Sequence, residues 1–241
     1  MVKYNNILIL TGAGISAESG LATFRDDEGM WNKHRVEDVA TIEAFARNPE
    51  YVHDFYNEMK KDLIKVEPNA AHLAITKLQK EYPAKISVVT QNVDTLHEKA
   101  GNENIYHIHG QINQAVCMNC GNVVTTWNDV NTEDVCQQCQ VQGMFKPNIV
   151  FFGENLLCMN EVDALLRKCD LFISIGTSGV VFPANTFVRT AKYYHADTIE
   201  FNLKATANNY EFDRHIIGKA GETFPKFVEE LLAEIKPVED I

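Results

Sequence analysis

The sequence predicts an α/β fold, a parallel sheet with helices on both faces joined to a smaller lobe built around cysteines. Three observations predict it: short unbroken apolar runs with helix-like stretches between them, a glycine loop directly after the first run, and two C-x2-C pairs in mid-chain. The first run, Asn6 to Leu10, is bounded and does not alternate, as expected of a parallel strand buried on both faces. The loop after it, TGAGISAESG from Thr11 to Gly20, fits G-x-G-x-x-A through Gly12, Gly14 and Ala17. A glycine turn between strand and helix lets backbone approach a pyrophosphate, and N–H groups at a helix start favour an anion. A tight turn without a ligand satisfies the same pattern.

Phe24 to Arg35 is polar and aperiodic and reads as a long loop of the kind that covers or binds a ligand. Asn48-Pro49 starts a helix whose apolar face is Val52, Phe55, Tyr56, Met59 and Leu63, at spacings of three and four. A second helix follows Asn69. Ile86–Thr90, Leu171–Ile175 and Thr198–Asn202 read as further strands, with a helix expected from Pro183 to His195. In such a sheet ligands lie beyond the carboxyl ends of the strands. The residues there are polar: Thr11-Gly12-Ala13-Gly14, Gln91-Asn92-Val93-Asp94, Gly176-Thr177-Ser178-Gly179 and Asn202. No second strand ends in an acidic residue some 20 positions after the loop, since Glu37 and Asp38 follow a charged segment, so the hydride-transfer pattern is not met.

The 241 residues suit one large domain or a domain with a smaller lobe, and 45% hydrophobic content supports a real core. A net charge of -11 disfavours nucleic acid and anionic membranes as partners and suits lysine-rich ones. No apolar run reaches the roughly 18 residues a membrane helix needs, so a soluble, cytoplasmic protein is expected. Cys117, Cys120, Cys136 and Cys139 form C-x2-C-x15-C-x2-C, which places four thiolates around one tetrahedral zinc. Four sulfurs close the coordination sphere, so the metal is expected to be structural. The ribbon from Cys117 to Cys139 carries Asp129, Glu133 and Asp134 but no Lys or Arg, which argues against phosphate binding. Cys158 and Cys169 sit in helical-looking segments and are expected to pack rather than ligate.

Taken in order, TGAGISAESGLATFR, TQNVDTLH, HIHG, the four cysteines and IGTSG resemble the sirtuins, NAD-dependent protein-lysine deacylases, over nearly the whole chain. HRVEDVAT and PNAAHLAI are similar to the class holding the bacterial CobB-type enzymes and the mitochondrial desuccinylase. The resemblance implies a Rossmann-like NAD-binding domain at 1–30, 84–112 and 146–241, a cofactor loop and helical module at 31–83, and a zinc-ribbon module at 113–145. It further implies that Gly12, Ala13 and Gly14 line the NAD pyrophosphate, with Thr23, Phe24 and Arg25 on a loop over the nicotinamide ribose. Gln91, Asn92, Val93 and Asp94 would line the nicotinamide pocket and its ribose. Gly176, Thr177 and Ser178 would face the adenine side, with Ala220 closing it and Asn202 meeting the adenosine ribose.

Imidazole titrates near neutrality, so a histidine suits the base this chemistry needs. His107 and His109 share a strand face, and alternation does not choose between them. The family motif implies His109, which precedes Gly110. The implied reaction has the acyl oxygen of the lysine amide attack the anomeric carbon of NAD as nicotinamide leaves. His109 then helps deprotonate a ribose hydroxyl that attacks the resulting alkylimidate, giving free lysine and O-acyl-ADP-ribose. Val150 and Phe151 resemble the strand that pairs with the substrate backbone. Ala40, Tyr56 and Met59 match the acyl pocket, where the acidic-acyl class carries an arginine at the third position. Met59 offers neither charge nor N–H, so acetyl and longer neutral acyl groups are expected over succinyl. Desuccinylase or demalonylase activity with Lys60 or Lys61 replacing the cation, ADP-ribosyl transfer to protein, and a non-catalytic zinc-ribbon role are the competing readings.

Overall fold

The computed structural model describes residues 2–21 and 34–235. Thr23, Phe24 and Arg25 lie outside the described residues, as does most of the expected long loop. β1 (Asn6–Thr11) is the central strand and pairs in parallel with β2 (Lys85–Thr90) on one side. On its other side it pairs in parallel with β7 (Leu171–Ile175). β3 (Ile105–His107), β8 (Asp197–Asn202) and β9 (Arg214–Ile217) complete an all-parallel sheet in the order β3-β2-β1-β7-β8-β9. β3 and β9 are short and half-exposed, which is why no apolar run marks them in the sequence.

Two clusters explain the unbroken apolar runs. Ile7 and Ile9 of β1 pack with Ile173 of β7 under α5 (Ala70–Glu81) and α9 (Ala220–Ala233), through Ile75, Leu78, Phe224 and Val228. Leu8, Leu10 and Phe172 face the opposite way, toward Val162 of α7 (Met159–Leu166) and Val188 of α8 (Phe187–Tyr193). A strand covered on both faces has no polar side, so its pattern cannot alternate. The expected Pro183–His195 helix is shorter: a 3-10 turn at Ala184–Thr186 precedes α8. Cys169 is buried beyond the end of α7, whereas Cys158 is exposed and caps that helix with φ 56°, so it does not pack as expected.

Of the remaining helices, α1 (Ala13–Ser16) has only four residues and α6 (Leu96–Ala100) follows β2. α2 (Val36–Val39), α3 (Ile42–Arg47) and α4 (Pro49–Leu63) form a separate layer. Asn48 caps α4 by accepting from Tyr51 N, with Pro49 in the first turn. β4 (Gly110–Cys117) pairs antiparallel with β5 (Val123–Thr125) and β6 (Phe145–Ile149) in a small sheet. Positions 113 and 145, the expected edges of the zinc-ribbon module, fall inside β4 and at the start of β6. Among the described residues no helix is long and apolar enough to cross a membrane.

Candidate active site

The order in which successive strands are added reverses between β1 and β7, and the loops following these two parallel strands lie side by side at that switch point. Gly12 N donates to Ile175 O at 3.0 Å and Gly14 N to Gly176 O at 2.9 Å. A Cβ on Gly12 would stand 2.8 Å from Gly176 O, and one on Gly14 2.7 Å from Gly176 Cα. Gly176 itself has φ +64°, and a Cβ there would strike the backbone nitrogen of Ile15. The glycines are thus required for loop-to-loop packing before any ligand enters. Three N–H groups of the loop, from Gly12, Gly14 and Ile15, are already donated within the protein.

The turn after β2 is fastened to this pair of loops. Gln91 N donates to Thr11 O at 2.9 Å, and Asn92 Nδ2 donates to Gly12 O and Ser16 Oγ, both at 3.1 Å. Ser16 Oγ donates to Asp94 Oδ2 at 3.0 Å, while Asp94 Oδ1 accepts from Leu96 N and so starts α6. Asn92, Asp94 and Ser16 are all buried. Ser16 was not singled out from the sequence, although it lies in the quoted glycine loop; only the fold shows it joining Asn92 to Asp94. Val93 O accepts from Ile112 N, linking the turn to β4.

On the far side, Asn202 at the end of β8 donates from Nδ2 to Thr177 O at 2.6 Å, and Ser174 Oγ meets Thr177 Oγ1 at 3.0 Å. Ala220 is buried at the start of α9, whose Gly221 N donates to Glu18 Oε1 at 2.7 Å. Gly12, Gly14, Gln91, Asn92, Asp94, Gly176, Thr177 and Asn202 are therefore tied together at one end of the sheet. Ser178 follows them in the same loop, ahead of the exposed apolar side chains Val180, Val181 and Phe182.

His107 and His109 part company. β3 ends at His107, and His109 sits in the turn before β4, so strand alternation does not extend across them. His107 is buried, with Nδ1 3.2 Å from Asn92 O and Nε2 2.7 Å from Glu98 Oε1. Nε2 also lies 3.2 Å from Gln111 Nε2, so both ring nitrogens are engaged within the protein and neither is left open to a substrate. His109 is half-buried and its Nδ1 lies 2.7 Å from Gln91 O. That carbonyl demands an Nδ1 proton in the neutral ring and leaves the Nε2 lone pair available. Burial lowers the His109 pKa, against a smaller upward pull from the Gln91 carbonyl, so the ring remains a base below its ordinary range. Gly110, at φ +84°, lets Asn148 O come in where a side chain would stand, and the turn depends on it.

Val150 N donates to His109 O and Phe152 N to Ala40 O, placing residues 150–152 between the base and the helical layer. Ala40, Tyr56, Met59 and Phe151 are buried in one apolar cluster, with the Tyr56 and Phe151 rings stacked at 5.9 Å. The Tyr56 hydroxyl is buried without a hydrogen-bond partner, and burial drives its pKa upward. Cys117, Cys120, Cys136 and Cys139 bring their sulfurs within 4.8 Å of one another, with Cys117–Cys139 and Cys120–Cys136 both at 3.7 Å. Tetrahedral Zn–S bonds of about 2.3 Å put sulfurs roughly 3.8 Å apart, so the set fits a structural zinc.

The Sir2 family signature matches residues 12–183, which takes in every one of these loops except those of β8 and α9. The chain belongs to the Sir2 family. It is 50% identical to an NAD-dependent protein deacylase of Vibrio vulnificus (strain YJ016) over 97% of this chain and 96% of that protein. It is 47% identical to an NAD-dependent protein deacylase of Escherichia coli (strain K12), covering 95% of this chain and 83% of the relative. A crystal structure of a Sir2 homologue in complex with NAD superposes with a TM-score of 0.88 at 33% identity, covering 97% of this chain and 92% of that one.

Proposed function

We propose that this Sir2-family chain is an NAD-dependent protein-lysine deacylase that favours acetyl and longer neutral acyl groups over succinyl. Family membership supports the reaction, and the environment of Met59 supports the preference. NAD, bound as co-substrate, supplies the electrophilic sugar carbon and the hydroxyl that finally accepts the acyl group. His109 is the proton acceptor for that hydroxyl, oriented by Gln91 O. Asn92 and Asp94 hold the nicotinamide side, and Gly176, Thr177 and Asn202 the adenosine side. The four-cysteine zinc site stands apart from the chemistry and holds the lobe together.

Met59 is 5% exposed, among Ala40, Tyr56 and Phe151. Among the described residues, the lysines that could stand in for an arginine are committed elsewhere. Lys60 Nζ donates to Asn128 O at 2.6 Å, Lys61 pairs with Asp129 at 3.1 Å, and Lys146 pairs with Glu154 at 3.0 Å. Among the described residues a succinyl carboxylate would be stripped of water here with one uncharged donor, Tyr56 O–H, to receive it, an unfavourable exchange. A neutral chain meets no such cost.

The test compares kcat/KM on one lysine peptide carrying acetyl, butyryl, long-chain or succinyl groups. Neutral chains should lead, and Met59→Arg should raise succinyl turnover at least tenfold. A wild-type preference for succinyl would sink the pocket assignment. If labelled ADP-ribose ends on protein instead of on the released acyl group, the deacylase reading gives way to an ADP-ribosyltransferase.

A further inference from the structure

Two side chains beside the site have no part in the chemistry above: Glu98, on the first turn of α6, and His107, at the end of β3. Their arrangement is specific. His107 bridges the Glu98 carboxylate to the main-chain carbonyl of Asn92, and Gln91, one residue earlier, gives its carbonyl to His109. The two histidines of His107-Ile108-His109 thus clasp consecutive carbonyls of one turn, one ring keeping a free nitrogen and the other keeping none. Glu98 is anchored in turn, since Gln111 Nε2 donates to the same Oε1 at 3.0 Å. Gln114 Nε2 donates to Gln111 Oε1 at 2.6 Å, and Asn148 Nδ2 donates to Gln114 Oε1 at 2.8 Å. A chain of side chains therefore runs from β6 to the Asn92 peptide.

We propose that Glu98, acting through His107, is a positioning residue that fixes the Asn92 peptide and with it the nicotinamide side of the pocket. The remaining ties on Asn92 go to its side chain and its N–H: Nδ2 to Gly12 O and Ser16 Oγ, and N to Thr90 Oγ1 at 3.0 Å. His107 supplies the tie on the carbonyl, and without it the peptide is free to rotate about its flanking bonds. Burial acts to raise the Glu98 carboxyl, but the hydrogen bond and charge of His107 outweigh it and hold that carboxyl below its usual range. Orienting partners of this kind are worth about 10–100-fold in activity at metal sites, where they have been measured most often. The same logic applies wherever a reacting geometry must be held to a fraction of an ångström.

The role is separable from that of His109. In the reaction proposed above, nicotinamide leaves before the base is needed, so loosening Asn92 slows the first step and loss of His109 the second. Exchange of labelled nicotinamide into NAD, in the presence of an acetyl-lysine peptide, reads the first step alone. Glu98→Ala should lower exchange and kcat together by about tenfold, with the KM for peptide within twofold of wild type. Glu98→Gln keeps an oxygen for His107 Nε2–H and should recover most of the loss. Should the alanine variant not fold, the glutamine variant decides through its own exchange rate, for which a reduction of two- to threefold is expected. Wild-type exchange in a folded Glu98→Ala protein, or a raised KM with unchanged kcat, would overturn the proposal. The inference rests on placing Asn92 beside nicotinamide, and Asn92→Ala tests that separately: normal exchange in Asn92→Ala removes the site assignment, whereas loss there with normal exchange in Glu98→Ala removes only the positioning pair.

Discussion

The six-stranded sheet and the cysteine lobe are stabilised by different means. The sheet is covered on both faces, and its two clusters bury Ile7, Leu8, Ile9, Leu10, Phe172, Ile173, Phe201 and Phe224 almost completely. The lobe has a cluster of Ala115, Cys117, Val130, Cys136 and Phe145, in which two of the members are metal ligands. So small an apolar cluster cannot offset the cost of ordering the lobe, and the zinc supplies the difference. The lobe is also held from outside: Asn57 of α4 accepts from Val130 N at 3.0 Å and donates to Val130 O at 2.9 Å. The difference teaches that the half proposed to bind the co-substrate is preformed by burial, whereas the cysteine lobe relies on its four-sulfur metal site and a few polar clasps.

The strongest way to break this comparison is to remove the metal. Structural zinc in small domains contributes about 10–16 kcal/mol. Chelation, or Cys136→Ser, should abolish hydrogen-exchange protection from residue 115 to 145 while amides of β1, β2, β7 and β8 stay protected. Simultaneous loss in both regions would show that the sheet depends on the lobe. Gly176→Ala strikes the other half, forcing a side chain into φ +64° against the Ile15 backbone. It should lower unfolding free energy by about 3 kcal/mol in urea titration, with zinc still bound.

Asn57→Ala sharpens the picture at the junction. Losing both hydrogen bonds to buried Val130 should destabilise the lobe by about 2 kcal/mol, read as weaker exchange protection near residue 130 and faster zinc release to a chelator. A further effect is one of pH. His72 is buried and held neutral, its pKa pushed down to about 3 first by burial and then by His97, whose own pKa burial also lowers. An unfolded histidine takes up a proton below about 6.5, which the folded one refuses until about 3. Stability is therefore complete above that upper value and falls by about 1.4 kcal/mol per pH unit below it. His72→Gln should flatten the slope between pH 6 and pH 4; an unchanged slope would assign the pH dependence to other groups.

Much of the site was legible because its signals are local. Glycine spacing, the C-x2-C pairs and the apolar runs of β1, β2, β7 and β8 each reside within a few residues. The polar strand ends then followed from the rule that ligands meet a parallel sheet at its carboxyl edge. The small edge strands β3 and β9, the split of the 183–195 segment and the exposure of Cys158 were not legible, since partial burial leaves no periodic mark. Ser16 was in plain view, yet nothing in the loop says that it reaches Asp94, 78 residues later.

By itself the sequence determined that the chain has a parallel α/β core, a glycine turn after its first strand and a closed four-sulfur metal site. These depend on backbone period and ligand spacing, which short segments carry whole. Only the tertiary structure decided that Gly12 and Gly14 face Gly176 and that His107 is spent on Glu98 and Asn92 while His109 keeps a free nitrogen. It likewise decided that Lys60 and Lys61 turn to the zinc lobe and leave Met59 among apolar neighbours. The physical reason is common to all three. Each depends on which group from a distant segment arrives to satisfy a buried donor, fill a gap or neutralise a charge, and that partner is chosen by the packing of the whole chain.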